Sequence, residues 1–275
     1  MLVFFIFLLC ALVLIMAIVN SRVDEFFELV HVPSGNNNNG VIFTMTTYLS
    51  LPGKLDQFYA AMDSVIGSNV HVVVINEYTN NDNEDYAKRV KERYPSIEFV
   101  QKNEHQKGQA RSLNMILDMI WGYEYWVHWE ESWIASNASF LKKAINIMDH
   151  DKSITQLQFT PDWTDASLSR LDDHGDYIIV SLHAQYKDIP HDPKNFDALV
   201  SQYGLNVMWP LYSLRPSINR VKHYLGIGKF DEDPKLWPVR FEYEYSLRWV
   251  DAGCVKAVIA PPVAMRQANH VSTYA

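Results

Sequence analysis

Two adjacent carboxylates, Glu130 and Glu131, close an apolar, aromatic run from Tyr123 to Trp129 and are followed by Ser132 and Trp133. The run reads as a buried β-strand. Acids delivered at the carboxyl end of a strand, in a chain that alternates strands and helices, stand where open α/β sheets bind their ligands. Their oxygens suit a hard divalent cation, Mn²⁺ or Mg²⁺, that bridges to phosphate oxygens. Paired acids beside tryptophans also mark places where a strand simply leaves the core for water, so the rest of the chain must decide.

Three further stretches carry chemistry. Val73 to Ile75 is strand-like and ends in the polar pair Asn76 and Glu77. Lys107-Gly108-Gln109-Ala110-Arg111-Ser112-Leu113-Asn114 sets a glycine at a helix entrance, where free backbone N–H groups attract anions, with Lys107 and Arg111 available to offset diphosphate charge. Gly228-Lys229-Phe230-Asp231-Glu232 precedes Phe241 to Trp249, in which Glu242 stands at a helix start that favours an ionised carboxylate. Glu244 and Arg248 are spaced for an i, i+4 ion pair on that helix. His270, near the end of the chain, is a lone histidine of the kind that is more often structural than ligating.

The elements that position these residues follow from periodicity. Val41 to Met45 predicts a strand and Lys54 to Ile66 a helix. His71 to Ile75 predicts a second strand, and Glu84 to Tyr94 a helix stopped by Pro95. Ile97 to Val100, the helix Gly108 to Ile120 and the acid-bearing strand come next. A helix over Asn137 to Met148 and a strand over Ile154 to Phe159 complete an alternation typical of a parallel sheet. From Asp162 to Asn206 the sequence is loop-rich, with Tyr177 to Leu182 strand-like. One more helix, Glu242 to Ala252, is closed by Gly253.

Residues Met1 to Val19 are apolar and uncharged, long enough as a helix to span roughly 28 Å at ~1.5 Å per residue. They predict a single-pass transmembrane anchor; a cleaved signal peptide, the competing reading, calls for a basic start and a shorter apolar core. Arg22 alone flanks the span closely, so the side of the membrane stays open. Asn20 to Asn39, ending in Pro33-Ser34-Gly35 and a run of asparagines, reads as a flexible stalk, and Gly40 to Ala275 as one domain. The net charge of −8 falls wholly after the anchor and argues against a nucleic-acid partner. With one cysteine in the span, Cys10, and one in the domain, Cys254, no disulfide can staple the domain.

Taken in order, these blocks resemble the GT-A-fold glycosyltransferases, in particular the inverting family-2-type group, over roughly Val41 to His270. The resemblance implies a single α/β domain with a mostly parallel central sheet behind the transmembrane helix. It implies a nucleotide-sugar donor, a glycan or other hydroxyl acceptor, and a divalent cation as cofactor. In that scheme Thr46, Asn76, Glu77, Lys107, Gly108, Arg111 and Asn114 serve the nucleotide. Glu130, Glu131, Ser132 and His270 serve the metal, and Glu242 is the catalytic base. Where the family commonly has a final aspartate as metal ligand, this chain has Ser132. That departure sustains an alternative, an inactive glycan- or nucleotide-binding membrane protein of the same fold. A nucleotidyltransferase, a third class, would want a glycine-rich basic signature at the first strand, and Thr44 to Tyr48 is not one.

Overall fold

The computed structural model describes residues 40–66, 70–79, 84–137, 139–161, 169–236 and 239–268. They belong to one unit, Asn38–Ala275. The expected anchor and stalk lie outside the described residues, as does His270. Among the described residues no helix is long and apolar enough to cross a membrane.

The chain runs β1 (Val41–Thr47), α1 (Lys54–Val65), β2 (His71–Asn76), α2 (Glu84–Arg93), β3 (Glu98–Gln101), α3 (Gln109–Met119), β4 (Tyr125–Glu130), β5 (Trp133–Ala135), α4 (Phe140–His150) and β6 (Ile154–Gln158). Then follow β7 (Ser169–Asp173), β8 (Tyr177–Ser181), α5 (Phe196–Tyr203), α6 (Leu205–Met208), β9 (Ser217–Arg220), α7 (Val221–Ile227), α8 (Arg240–Asp251), β10 (Val255–Ile259) and β11 (Ala264–Arg266). The main sheet has the order β3-β2-β1-β4-β9-β6-β10-β8-β7. β1, β2, β3 and β4 are parallel, as are β6 and β10; only β8 and β9 run against the rest. The sheet is thus α/β and mostly parallel, as expected. β5 and β11 form a separate antiparallel ribbon.

Alternation along the strands gives the sheet two apolar faces. Val41, Phe43, Met45, Val127 and Trp129 pack with Phe58 and Met62 of α1 and with Phe140 and Met148 of α4. Ile42, Val73, Ile75 and Trp126 pack instead with Leu113 and Ile116 of α3 and with Tyr245 and Trp249 of α8. A sheet covered on both faces has apolar strands throughout, which is why β1, β2 and β4 are legible from sequence.

The sequence does not anticipate β5, α7, β10 and β11, and β9 is an element that apolar patterning cannot reveal. Ser217-Ile218-Asn219-Arg220 is short and polar, yet all four residues are buried between β4 and β6. Burial is possible because each polar group finds a partner. Asn219 Nδ2 donates to the Trp126 carbonyl (3.1 Å) and Tyr224 Oη donates to Asn219 Oδ1 (2.6 Å). Arg220 donates to the carbonyls of Ile154 (3.3 Å) and Met148 (2.7 Å). The loop-rich stretch contains α5 and the β7–β8 hairpin, of which only the second strand was legible.

Candidate functional site

The parallel strands β1, β2 and β4 end together at the carboxyl edge of the sheet. Thr46, half-buried, lies in register with Ile75 on one side and with Glu130 on the other. Glu130 is half-buried at the end of β4, and the Trp133 indole N–H donates to its Oε2 at 3.4 Å. Burial, reinforced by the neighbouring Glu131, raises the Glu130 carboxyl from 4.5 to about 7, against the opposing pull of Trp133, Arg266 and Lys54. An acid held this way lacks sufficient positive charge around it, and a cation or a proton would relieve it.

Glu131 has a different environment. It is 5% exposed, and its carboxylate pairs with Lys54 Nζ at 2.7 Å; Lys54, the first residue of α1, is itself 1% exposed. Ser132 is buried in the following turn. Gln267 pins that turn: its backbone N–H donates to the Ser132 carbonyl (2.9 Å), and its Nε2 donates to the carbonyls of Glu131 (2.8 Å) and Gln57 (2.9 Å).

At β2, Asn76 is fully buried; its Oδ1 accepts from the Leu49 N–H (3.0 Å) and its Nδ2 donates to Gln101 Oε1 (2.8 Å). Glu77 accepts from the Gly108 N–H at 3.2 Å and from the Tyr78 N–H at 3.1 Å, and pairs with Lys102 Nζ at 2.8 Å. Buried Lys102 also donates to the Gly108 carbonyl (2.8 Å) and to Ser112 Oγ (2.7 Å). Its own burial is the leading influence and lowers its pKa. Gly108, at φ 113°, takes the sharp entry into α3 that this cluster fixes. The Gly108 N–H that sequence reasoning offered to a phosphate is thus already bonded to a protein carboxylate. Lys107 is exposed beside it.

Arg111 and Asn114, further along α3, tie down the loop before α8. Arg111 pairs with Glu232 at 2.7 Å and also donates to the His105 carbonyl. Asn114 clasps the Phe230 backbone, donating to its carbonyl (2.9 Å) and accepting from its N–H (2.8 Å), and donates to Glu232 Oε1 (2.8 Å). Glu244 and Arg248 form the expected ion pair, with contacts of 2.7 and 2.8 Å, and Arg248 also donates to the carbonyls of Ile227 (3.1 Å) and Lys229 (2.9 Å). The same loop is therefore held from both ends.

Glu242 lies in the first turn of α8, half-buried, and its Oε1 accepts from the Leu214 N–H at 2.9 Å. Because β9 runs against β4, with Ser217 opposite His128, residues 213–216 arrive at the carboxyl edge beside Glu130. Arg215, next to Leu214, sets its guanidinium 5.8 Å from the centre of the Trp133 ring. Glu130, Trp133, Arg215, Leu214 and Glu242 thus form one continuous chain of contacts across the edge. Trp133 itself is 4% exposed, covered in part by these neighbours.

The structure brings Thr46, Glu130 and Glu242 to one rim, with Asn76, Glu77 and Gly108 on the adjoining strand and helix. It gives Asn76, Glu131, Arg111 and Asn114 protein partners of their own. Sequence reasoning missed Lys54, Lys102, Arg215 and Arg266, and named Glu232 without foreseeing its pairing with Arg111. A lysine at a helix start or a strand end carries no sign of its carboxylate partner, which comes from tens of residues away. Among the described residues no group of three His, Cys, Asp or Glu is placed to hold a metal ion. The Glu130 carboxylate is the kind of oxygen donor that would suit a hard cation, which Mg²⁺-type sites hold through one or two carboxylates.

No protein-family model and no curated protein matches this sequence. Solved structures do match in fold. One is a mannosyltransferase from Pyrobaculum calidifontis in complex with GDP-Man and Mn²⁺, at a TM-score of 0.52 and 14% identity, covering 87% of this chain and 59% of that one. Another is GalNAc-T7 with UDP, GalNAc and Mn²⁺, at a TM-score of 0.52 and 10% identity, covering 85% of this chain and 45% of that one. The chain therefore spans about half the length of these structures. It has the GT-A fold that such glycosyltransferases share.

Proposed function

We propose that the protein is a glycosyltransferase that moves a sugar from a nucleotide-sugar donor to a hydroxyl acceptor at the carboxyl edge of its sheet. The observation that carries this reading is the pairing of two acids of different character on one rim. Glu130 is raised to about 7 by burial and lacks a full countercharge, whereas Glu242, in the first turn of α8, is held by the Leu214 N–H.

In this reading Glu242 accepts the proton of the acceptor hydroxyl as that oxygen attacks the anomeric carbon from the face opposite the diphosphate, which inverts the configuration. The Leu214 N–H holds the carboxylate in place. A divalent cation, when bound at Glu130, supplies positive charge to the departing diphosphate. Lys54 neutralises Glu131, so the turn that follows β4 keeps its position whether or not the cation is there. Thr46, Asn76 and Glu77 line the neighbouring strand ends, on the nucleotide side; Asn76 acts there by ordering the loop at Leu49.

The complexes in which the structural neighbours were solved, with GDP-Man and Mn²⁺ and with UDP, GalNAc and Mn²⁺, support a nucleotide-sugar donor and a divalent cation here. The uncharged apolar stretch Met1 to Val19 supports attachment to a membrane by a single N-terminal span. The test is a panel of nucleotide sugars with Mn²⁺, read as nucleoside diphosphate release in the presence of hydroxyl acceptors. Glu242→Gln should keep donor affinity and lose about 10²–10⁴ in turnover; full activity in that variant would exclude the role. The engagement of Glu131 by Lys54 favours a second reading, a nucleotide-binding protein without transfer, which the same panel would reveal as binding with no release.

A further inference from the structure

We propose that Arg266 and Arg215 form a guanidinium clamp on the donor diphosphate, the function that the Lys107 to Arg111 segment was expected to serve. This rests on the reading of the site as a nucleotide-sugar transferase. Lys107 of the expected segment is exposed, but the other cations in and around it are committed to protein carboxylates. Arg111 is paired with Glu232 and bonded to the His105 carbonyl, Lys102 is buried against Glu77, and Lys54 is buried against Glu131.

Arg266 differs in every respect. It is exposed and makes no ion pair among the described residues. It stands directly opposite Trp133 across the β5–β11 ribbon, so the two side chains share a face. Its guanidinium lies 5.2 Å from the Trp133 ring centre, a distance at which the ring attracts the cation and holds its plane. Gln267, the next residue, bonds the turn at Glu131 and Ser132 through both backbone and side chain. That fixes Arg266 relative to Glu130, on whose carboxyl its charge already acts.

Arg215 approaches the same ring from the other strand connection, at 5.8 Å, and donates weakly to the Pro161 carbonyl at 3.4 Å. Its neighbour Leu214 holds Glu242. Two planar donors that share one aromatic support, set between the proposed cation ligand and the proposed base, match the demands of a diphosphate: several acceptor oxygens and a charge that grows as the sugar departs. The arrangement also accounts for Ser132 where an acid is expected. With fixed arginines at the rim, the leaving group depends less on a metal held by several carboxylates.

The test measures affinities of UDP, GDP, UMP and GMP for the full chain, with Mn²⁺ and with EDTA, in wild type, Arg266→Ala, Arg266→Lys and Arg215→Ala. Thermal melts accompany each variant to confirm folding. Wild type should prefer the diphosphate of its base over the monophosphate and keep part of that preference in EDTA. Each alanine variant should weaken diphosphate binding about tenfold with little change for the monophosphate, and Arg266→Lys should fall between. Loss of both nucleotides in equal proportion would mark a structural role and overturn the clamp, as would a wild-type diphosphate preference in both alanine variants. Absence of any nucleotide binding in wild type, with or without Mn²⁺, would overturn the transferase reading and the clamp together.

Discussion

Glu130→Gln should stabilise the metal-free protein at neutral and alkaline pH and leave it unchanged in acid. Burial and Glu131 raise the Glu130 carboxyl from 4.5 to about 7. In the folded state the group therefore holds its proton over a range in which the unfolded chain has released it. Stability attributable to Glu130 is undiminished below pH 4.5, falls as pH rises to 7, and is constant above. At about 1.4 kcal/mol for each tenfold change in proton affinity, the loss at pH 8 is on the order of 3 kcal/mol. The amide keeps the size and the Trp133 hydrogen bond without the charge, so it should recover most of that. For a domain of this length the gain corresponds to a rise in Tm of roughly 5–10 °C.

Paired thermal melts of wild type and variant, in EDTA from pH 4.5 to 8.5, are the assay. The difference must be taken pairwise, because buried His128, two residues earlier on the same strand, titrates in the opposite sense. Burial lowers its pKa from 6.5 to about 4, so its contribution is complete above pH 6.5 and is lost as pH falls towards 4. The two trends offset one another in wild type, and the variant should show the histidine limb alone. A wild-type minus variant difference that does not change with pH would refute the assignment of Glu130 as an unneutralised buried acid.

Lys54→Met should destabilise by about 3–5 kcal/mol, since it leaves Glu131 buried without its partner. Adding Glu131→Gln should restore most of that loss, and urea titration of the single and double variants checks both statements. Asn114→Ala removes both bonds to the Phe230 backbone and the bond to Glu232. It should cost about 1–3 kcal/mol and speed hydrogen exchange at the Phe230 amide, with little effect on Asn76.

The β–α alternation up to β6 is legible because strands covered on both faces are continuously apolar, and helices such as α1 and α3 keep a 3.6-residue spacing. β9 is not, since Asn219 and Arg220 are buried by partners on β4, β6 and α4 that no local window contains. The rim position of Glu130 follows from the strand that carries it, and that of Glu242 from the helix it begins. Their connection through Leu214 and Arg215 depends on the reversed strand and was invisible. The opposite fates of Glu130 and Glu131, adjacent and chemically alike, turn on Lys54, which lies 77 positions before Glu131. Likewise Arg111 and Asn114 read as ligand contacts because a helix entrance with glycine and arginine looks the same whether its charge meets a phosphate or Glu232.

In the proposed site one rim serves both cation and nucleotide. Crystals of the protein grown with Mn²⁺ and the nucleoside diphosphate it prefers, examined for Mn anomalous scattering, test that directly. The expected result is a peak at coordination distance from the Glu130 carboxylate, with the diphosphate between it and Arg266 and the Glu242 carboxylate facing the same space. A peak or a nucleotide seated elsewhere, such as the groove lined by Lys142, His150 and His174, would contradict it.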